Sequence, residues 1–174
     1  MIKLKNVILI ILCLILCVGC NNTKKTDAIK FKEEYEKYND TKVKLEIDED
    51  NIITYGSVDK INKIISSGTG VIFIGDPKDN LSRRALNILL QAADNTDLDI
   101  IYYIDSLDEI KGLEDVEKLK VPIVINVLEG DITSYYVGTI DDKEVLTEDE
   151  ELELYNIYSN GIHEVLQDAC DERC

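Results

Sequence analysis

The stretch that most constrains the fold is an apolar run followed at once by an amphipathic segment. Residues 70–75 read GVIFIG, a continuous run of apolar and mostly β-branched or aromatic residues, which is typical of a strand covered on both faces. After Asp76-Pro77, the segment NLSRRALNILLQAAD has apolar residues at helical spacing, namely Leu81, Ala85, Ile88, Leu89 and Ala92. This strand-to-helix sequence predicts an α/β fold.

Further strands follow from runs of alternating or continuous apolar residues. The alternation in VKLEI, residues 43–47, predicts a strand, whereas NIITYGS, residues 51–57, is interpreted as a turn or short extended piece. DIIYYID predicts a buried strand, and PIVINVLEGDITSYYVG predicts two strands joined by a hairpin turn at Glu129-Gly130-Asp131.

Helices are predicted between these strands and at both ends of the domain. AIKFKEEYEKYND predicts a short, strongly solvated helix, and LDEIKGLEDVEKLK a short acidic one. Ser57 is expected to cap a helix that stops at Gly68, and Thr147 to cap the final helix. After the first helix the predicted order is β-α-β-α-β-(α)-β-β-α, which describes a mixed central sheet flanked by helices.

The N-terminus has the pattern of an export signal rather than of a globular domain. MIKLKN carries two lysines and precedes the apolar run VILIILCLILCVGC, which is too short to span a bilayer as a free-standing helix. Gly19-Cys20 resembles the bacterial lipobox, whose cysteine is lipidated and becomes the mature N-terminus; Cys17 departs from it, since leucine is usual there. The resemblance implies a lipoprotein signal peptide over residues 1–20 with a palmitate-type acyl anchor on Cys20. A tether over 21–28 and one domain over 29–174 follow; the alternative is an uncleaved anchor helix.

Charge narrows the classes of partner. Acidic residues outnumber basic ones 35 to 19, which gives a net charge of −16. Nucleic acid and anionic lipid both require a basic surface, so the charge argues against docking of the folded part on either. The sequence contains no phosphate-binding or dinucleotide-binding glycine motif and no zinc-protease motif, and we expect no cofactor and no metal.

The two prolines of the chain carry a resemblance to a known family. Pro77 precedes the central helix and Pro122 opens the predicted hairpin in KLKVPIVINV. Together with FKEEYEKYN, GTGVIFIGDP, IIYYID and LTEDEELELYNIY, these segments resemble the exported thioredoxin-like proteins of Gram-positive bacteria, including bacteriocin-transport accessory proteins. The resemblance covers residues from about Phe31 to the C-terminus. It implies a thioredoxin-like fold in which the Val121–Pro122 bond is cis and faces the active site.

The catalytic signature of that family is absent. Aligned on Pro77 and Arg83, the two cysteines of its Cys-Pro-Trp-Cys-Arg run fall on Asp79 and Ser82. Thiol–disulfide exchange needs a thiolate and a resolving sulfur, so we interpret this helix start as a degenerate redox site. Asp79 is expected to cap the helix, with a residual binding role as the alternative. Arg83 and Arg84 are expected on a charged helix face, with an anion clamp as the alternative.

Only two thiols remain outside the predicted signal and lipid anchor. Cys170 and Cys174 are four residues apart in CDERC, which on a helix places their Cα atoms about 6 Å apart, within the outer range for a disulfide. We favour an idle or structural disulfide over free thiols or a working redox pair. His163 precedes them on roughly the same face, but no fourth zinc ligand is evident.

These observations lead to an expected function. We expect a membrane-anchored, extracytoplasmic thioredoxin-like protein that lacks the CxxC pair and binds a protein or peptide at the cell envelope near Pro122 and the Asp79 helix start. One alternative is a thiol–disulfide oxidoreductase acting through Cys170 and Cys174. Another is a structural component of an envelope assembly.

Overall fold

The sheet is mixed and five-stranded, with four helices around it. The computed structural model describes residues 26–106, 110–113, 121–137 and 146–171, the side chains of 167–171 excepted. The elements in chain order are α1 (Asp27–Glu36), β1 (Ile53–Tyr55), α2 (Val58–Ser67), β2 (Gly70–Ile74), α3 (Asn80–Asp94), β3 (Ile101–Ile104), β4 (Ile123–Leu128), β5 (Asp131–Val137) and α4 (Glu148–Asp171).

The strand order across the sheet is β1-β3-β2-β4-β5. Strands β1, β3 and β2 are parallel to one another, whereas β4 runs antiparallel to β2 and β5 antiparallel to β4. The predicted α/β class with a mixed, helix-flanked sheet is therefore confirmed, and the topology is compatible with a thioredoxin-like fold. Among the described residues, no helix has the length and apolar character needed to cross a membrane.

Strand β2 is buried along its whole length, as its composition predicts. Val71 and Phe73 face a core that is closed by α1, α3 and α4. Ile72 and Ile74 face the opposite core, which is closed by α2. The strand therefore contributes side chains to both hydrophobic layers, which explains why it carries no polar residue.

Helix α1 is less solvated than its sequence suggests. Phe31 and Tyr35 are fully buried and stack on each other with ring centroids 4.4 Å apart. Both also meet the ring of Tyr103 on β3 edge to face, at 4.8 and 5.7 Å. Such pairs add to the burial of the rings themselves, so aromatic packing fixes α1 against the sheet. The helix begins at Asp27, inside the range predicted as tether.

The prediction of a strand at 43–47 is wrong, because the edge of the sheet is formed by Ile53–Tyr55 instead. The alternation of VKLEI does report burial, since Val43, Leu45 and Ile47 all point inward. Side chains rather than a neighbouring strand satisfy the backbone of this segment. Asn39 both accepts from the Leu45 N–H and donates to its carbonyl, each at 2.8 Å.

Glu36 ties the end of α1 to the same segment. Its carboxylate accepts from the Ile47 N–H at 2.8 Å and from the Lys32 ammonium at 2.9 Å. Partial burial acts to raise the pKa of Glu36, but these two donors outweigh it, and the net pKa is lowered. Lys32 also donates to the Ile47 carbonyl.

The predicted helix caps and the hairpin turn are confirmed. Ser57 accepts from the Lys60 N–H and Gly68 ends α2. Thr147 and Glu150 form a reciprocal capping box, with bonds of 2.7 and 3.3 Å. In the hairpin, Glu129 and Gly130 both have positive φ, 51° and 89°, as a two-residue turn between twisted strands requires. The short acidic helix expected between β3 and β4 lies mostly outside the described residues.

Candidate functional site

The sheet register brings the two proline segments together. Ile74, the last residue of β2, pairs with Ile123, the first residue of β4. The chain that leaves β2 toward Pro77 therefore starts beside the chain that enters β4 through Pro122. The Val121–Pro122 peptide bond is cis.

A cleft of about 1060 Å³ opens between these two segments. Asp76, Pro77 and Lys78 form one part of its lining, which we call the turn wall, and Val121 lines the cleft as well. The remaining lining comes from α1 and its C-terminal extension and from the carboxyl ends of β1 and β3, namely Asp27, Lys30, Glu33, Glu34, Lys37, Tyr38, Tyr55 and Asp105. Carboxyl ends of parallel strands are where open α/β sheets commonly bind ligands.

Asp79 caps α3, which the sequence predicts. Its backbone is extended (φ −83°, ψ 127°), and its Oδ2 accepts from the Ser82 N–H at 2.6 Å. The same oxygen accepts from the Ser82 hydroxyl at 2.7 Å. Asp79 thus satisfies one of the free N–H groups of the first turn and a side-chain donor at once.

Ser82 is fully buried. Besides donating to Asp79, its Oγ accepts from the Asp76 N–H at 3.3 Å. Asp79 and Ser82, the two residues that the resemblance aligns with cysteines, therefore bond to each other, and through Ser82 they bond to the turn wall. A carboxylate and an alcohol in this arrangement hold a helix start together, and neither supplies the thiolate that disulfide exchange needs.

Arg83 does not lie on a charged helix face, and this expectation is wrong. The residue is 1% exposed, and its guanidinium bonds to the Pro77 carbonyl at 3.0 Å and to the Lys78 carbonyl at 3.2 Å. It also forms an ion pair with Asp40 at 3.1 Å and bonds to the Asn80 side chain. A buried charge is stable only with such partners. The anion-clamp alternative is not supported, because both terminal nitrogens of the guanidinium already bond to groups of the protein.

Arg84, the next residue, bonds to a different set of partners. It forms an ion pair with Glu151 on α4 at 2.9 Å and donates to the Lys42 carbonyl at 3.1 Å. None of these partners lines the cleft. Both arginines therefore bond to the loop at 40–42, but Arg83 also bonds to the turn wall whereas Arg84 bonds to α4.

The lining of the cleft contains a tyrosine–carboxylate pair that the sequence analysis missed. The Tyr55 hydroxyl donates to the Glu34 carboxylate, and burial, followed by Glu34, raises the pKa of Tyr55. Both side chains line the cleft. The available signal was the position of Tyr55 at the end of a parallel strand, but the sequence indicated only a turn or short extended piece there.

The cleft has a mixed charge. Five of its lining residues are carboxylates (Asp27, Glu33, Glu34, Asp76 and Asp105) and three are lysines (Lys30, Lys37 and Lys78). The side chain of Asp76 accepts from the Lys78 N–H at 2.9 Å, which shapes the turn wall. The cleft therefore presents both carboxylate and ammonium groups to any ligand that enters it.

The predicted cysteine sites lie outside the described residues. This holds for Cys20 and Cys174, and for Cys170 the structure describes only the helical backbone. The disulfide therefore stays a prediction. His163 is exposed, and within the described part of the chain no group of three histidine, cysteine or acidic residues could hold a metal ion.

Comparisons with known proteins assign no family. Neither a scan against protein-family models nor a search of curated proteins gives a match.

Proposed function

We propose that this protein is a membrane-anchored, extracytoplasmic, thioredoxin-like protein without a CxxC redox pair, and that it binds a protein or peptide segment in the cleft beside Pro122. The lipid anchor on Cys20 and the relationship to the exported thioredoxin-like proteins belong to this proposal. The observation that carries it is the cleft between Val121 and the turn wall, at a helix start that has Asp79 and Ser82 in place of sulfur.

The main chain at Val121 supports binding of an extended segment. Strand β4 begins only at Ile123, and no hydrogen bond joins the N–H or C=O of Val121 to the residues that the structure describes. Such groups can pair with a peptide through main-chain hydrogen bonds, which need no sulfur. The adjacent lysines and carboxylates would then select among side chains of the bound segment.

Photo-crosslinking from the cleft in intact cells tests the binding. A photoreactive amino acid at Lys78 or Val121 is expected to give a discrete crosslinked product. The same amino acid at Lys44, which is exposed and lies outside the cleft, is expected to give none. Equal yields from the three positions, or no product from the two cleft positions, would contradict the proposal.

An insulin-reduction assay tests the absence of redox chemistry. The wild-type domain and a Cys170→Ser/Cys174→Ser variant are expected to have the same activity as buffer alone. Turnover by the wild type above that of the variant would favour the oxidoreductase alternative.

Metabolic labelling with a palmitate analogue tests the anchor. Cys20→Ala is expected to abolish labelling and release the protein from membranes, whereas Cys17→Ala is expected to retain both. Labelling that persists in the Cys20 variant would remove the lipoprotein part of the proposal.

A further inference from the structure

We propose that Arg83 is the positioning residue of the cleft, an inference that rests on the proposed binding function. Arg83 does not line the cleft, but it is buried and bonds to the main chain of the turn wall. One terminal nitrogen, Nη1, donates to two successive carbonyls of the turn wall, those of Pro77 and Lys78. The conformation that the wall presents to a bound segment therefore depends on a buried side chain.

The other terminal nitrogen links the wall to a second loop. Nη2 pairs with the Asp40 carboxylate and with the Asn80 side chain. Asp40 in turn accepts from the N–H groups of Lys42 and Val43, each at 2.8 Å. The Val43 and Lys42 N–H groups are the largest causes that lower the pKa of Asp40, and Arg83 adds to them.

Only an arginine can make this set of contacts. The planar guanidinium presents five donors in a fixed fork, whereas a lysine ammonium is a single point charge on a flexible stem. Lysine at position 83 would keep the attraction to Asp40 but could not hold both carbonyls and both side chains at once. Arg83→Lys therefore keeps the positive charge at this position and removes the hydrogen-bond geometry of the guanidinium.

Arg84 provides the matched control. It is the same residue type one position further along α3, and it also combines an ion pair with a bond to a main-chain carbonyl. It bonds to the same loop as Arg83, through the Lys42 carbonyl, but neither Lys42 nor Glu151 lines the cleft and neither belongs to the turn wall. Arg83→Lys and Arg84→Lys are therefore equally conservative changes, of which only the first acts on the turn wall.

Two measurements test the proposal. The first is hydrogen exchange of the Lys78 and Asp79 amides, which bond to the Asp76 side chain and carbonyl at 2.9 and 3.0 Å. We expect about tenfold faster exchange of these amides in Arg83→Lys and no change in Arg84→Lys, because local opening is set by the bonds that close the segment. The second is the crosslinking yield from Val121, which we expect to fall about tenfold in Arg83→Lys and to stay within about twofold in Arg84→Lys.

The outcomes separate this proposal from the proposed function. Unchanged exchange in Arg83→Lys, or faster exchange with an undiminished crosslinking yield, would overturn the positioning role. If wild-type Val121 yields no crosslinked product, the binding function fails, and the exchange measurement alone decides whether Arg83 sets the wall. Should Arg83→Lys fail to fold, Asp40→Asn replaces it, since its side chain is 44% exposed. That variant is expected to raise exchange of the same amides about threefold, because it removes the counter-charge and leaves the carbonyl contacts; unchanged exchange there would again overturn the role.

Discussion

Replacing Asp79 by alanine is expected to destabilise the domain by more than the loss of a helix cap. A lost N-cap side chain costs about 1 kcal/mol. In this protein the same carboxylate oxygen also accepts from the Ser82 hydroxyl at 2.7 Å, and Ser82 is fully buried. A buried donor left without its acceptor costs about 1–3 kcal/mol more, so we expect a total of about 2–4 kcal/mol.

Urea unfolding of the chain without residues 1–20 measures this loss of free energy. In a thermal melt, at about 2–4 °C per kcal/mol for a domain of this size, the melting temperature is expected to fall by about 4–16 °C. Asp79→Asn is the matched control, because its amide oxygen retains both acceptor roles; it is expected to lose less than about 1 kcal/mol.

A double-mutant cycle isolates the contact between the two residues. In Ser82→Ala the buried hydroxyl is absent, so adding Asp79→Ala to it removes only the cap. We therefore expect the double variant to be more stable than the sum of the single effects predicts, by about 1 kcal/mol. A cost below about 0.5 kcal/mol for Asp79→Ala, or strictly additive effects, would refute the reasoning.

Three further predictions concern Gly161, Glu36 and the Asp79–Ser82 pair. Gly161→Ala is expected to destabilise by about 1 kcal/mol net: a Cβ there would lie 2.1 Å from Asn126 Nδ2, and overpacking outweighs the gain in helix propensity. Asn126→Ala is expected to relieve that loss. If Gly161→Ala instead stabilises the domain, the Asn126 side chain moves aside at little cost and the prediction is wrong. Because the pKa of Glu36 is lowered from 4.5 in the folded state, its stabilisation is complete above 4.5 and is lost as the pH falls through the folded pKa. Glu36→Gln should flatten the dependence of the urea midpoint on pH below about pH 4.5, and an unchanged slope would contradict this. Asp79→Cys/Ser82→Cys is expected to form a disulfide and reduce insulin, since the positions are one helical turn apart; two thiols that never oxidise would argue against the thioredoxin relationship.

Local patterns were sufficient for the elements that carry strong periodicity. The all-apolar β2, the amphipathic α3 and the turn at Glu129-Gly130 could be predicted because each signal is complete within a short window. The edge strand could not, because three residues are too few to show a period of two. Segment 43–47 did show that period, but alternation records which side is buried and contains no information on whether a neighbouring strand supplies the hydrogen bonds.

The candidate site also has features that the sequence could predict and features that it could not. The resemblance to thioredoxin-like proteins predicts that the segments of Pro77 and Pro122 lie close together, and the pairing of Ile74 with Ile123 agrees with this. The burial of Arg83 could not, since nothing in SRRAL distinguishes it from Arg84. Its distinguishing partners are the carbonyls of Pro77 and Lys78 and a carboxylate from position 40, and only the assembled fold brings these to one place.

Hydrogen bonds connect the first turn of α3 to the turn wall. Ser82 donates to Asp79 and accepts from the Asp76 N–H, at the two positions where the proposed thioredoxin relationship would put a disulfide. Arg83 then fixes the turn wall through its carbonyls, while the main chain of Val121 has no hydrogen-bond partner among the described residues. The described part of the chain thus supplies hydrogen bonds to the turn wall and none to the Val121 main chain, and the proposed function assigns those main-chain groups to pairing with a bound segment.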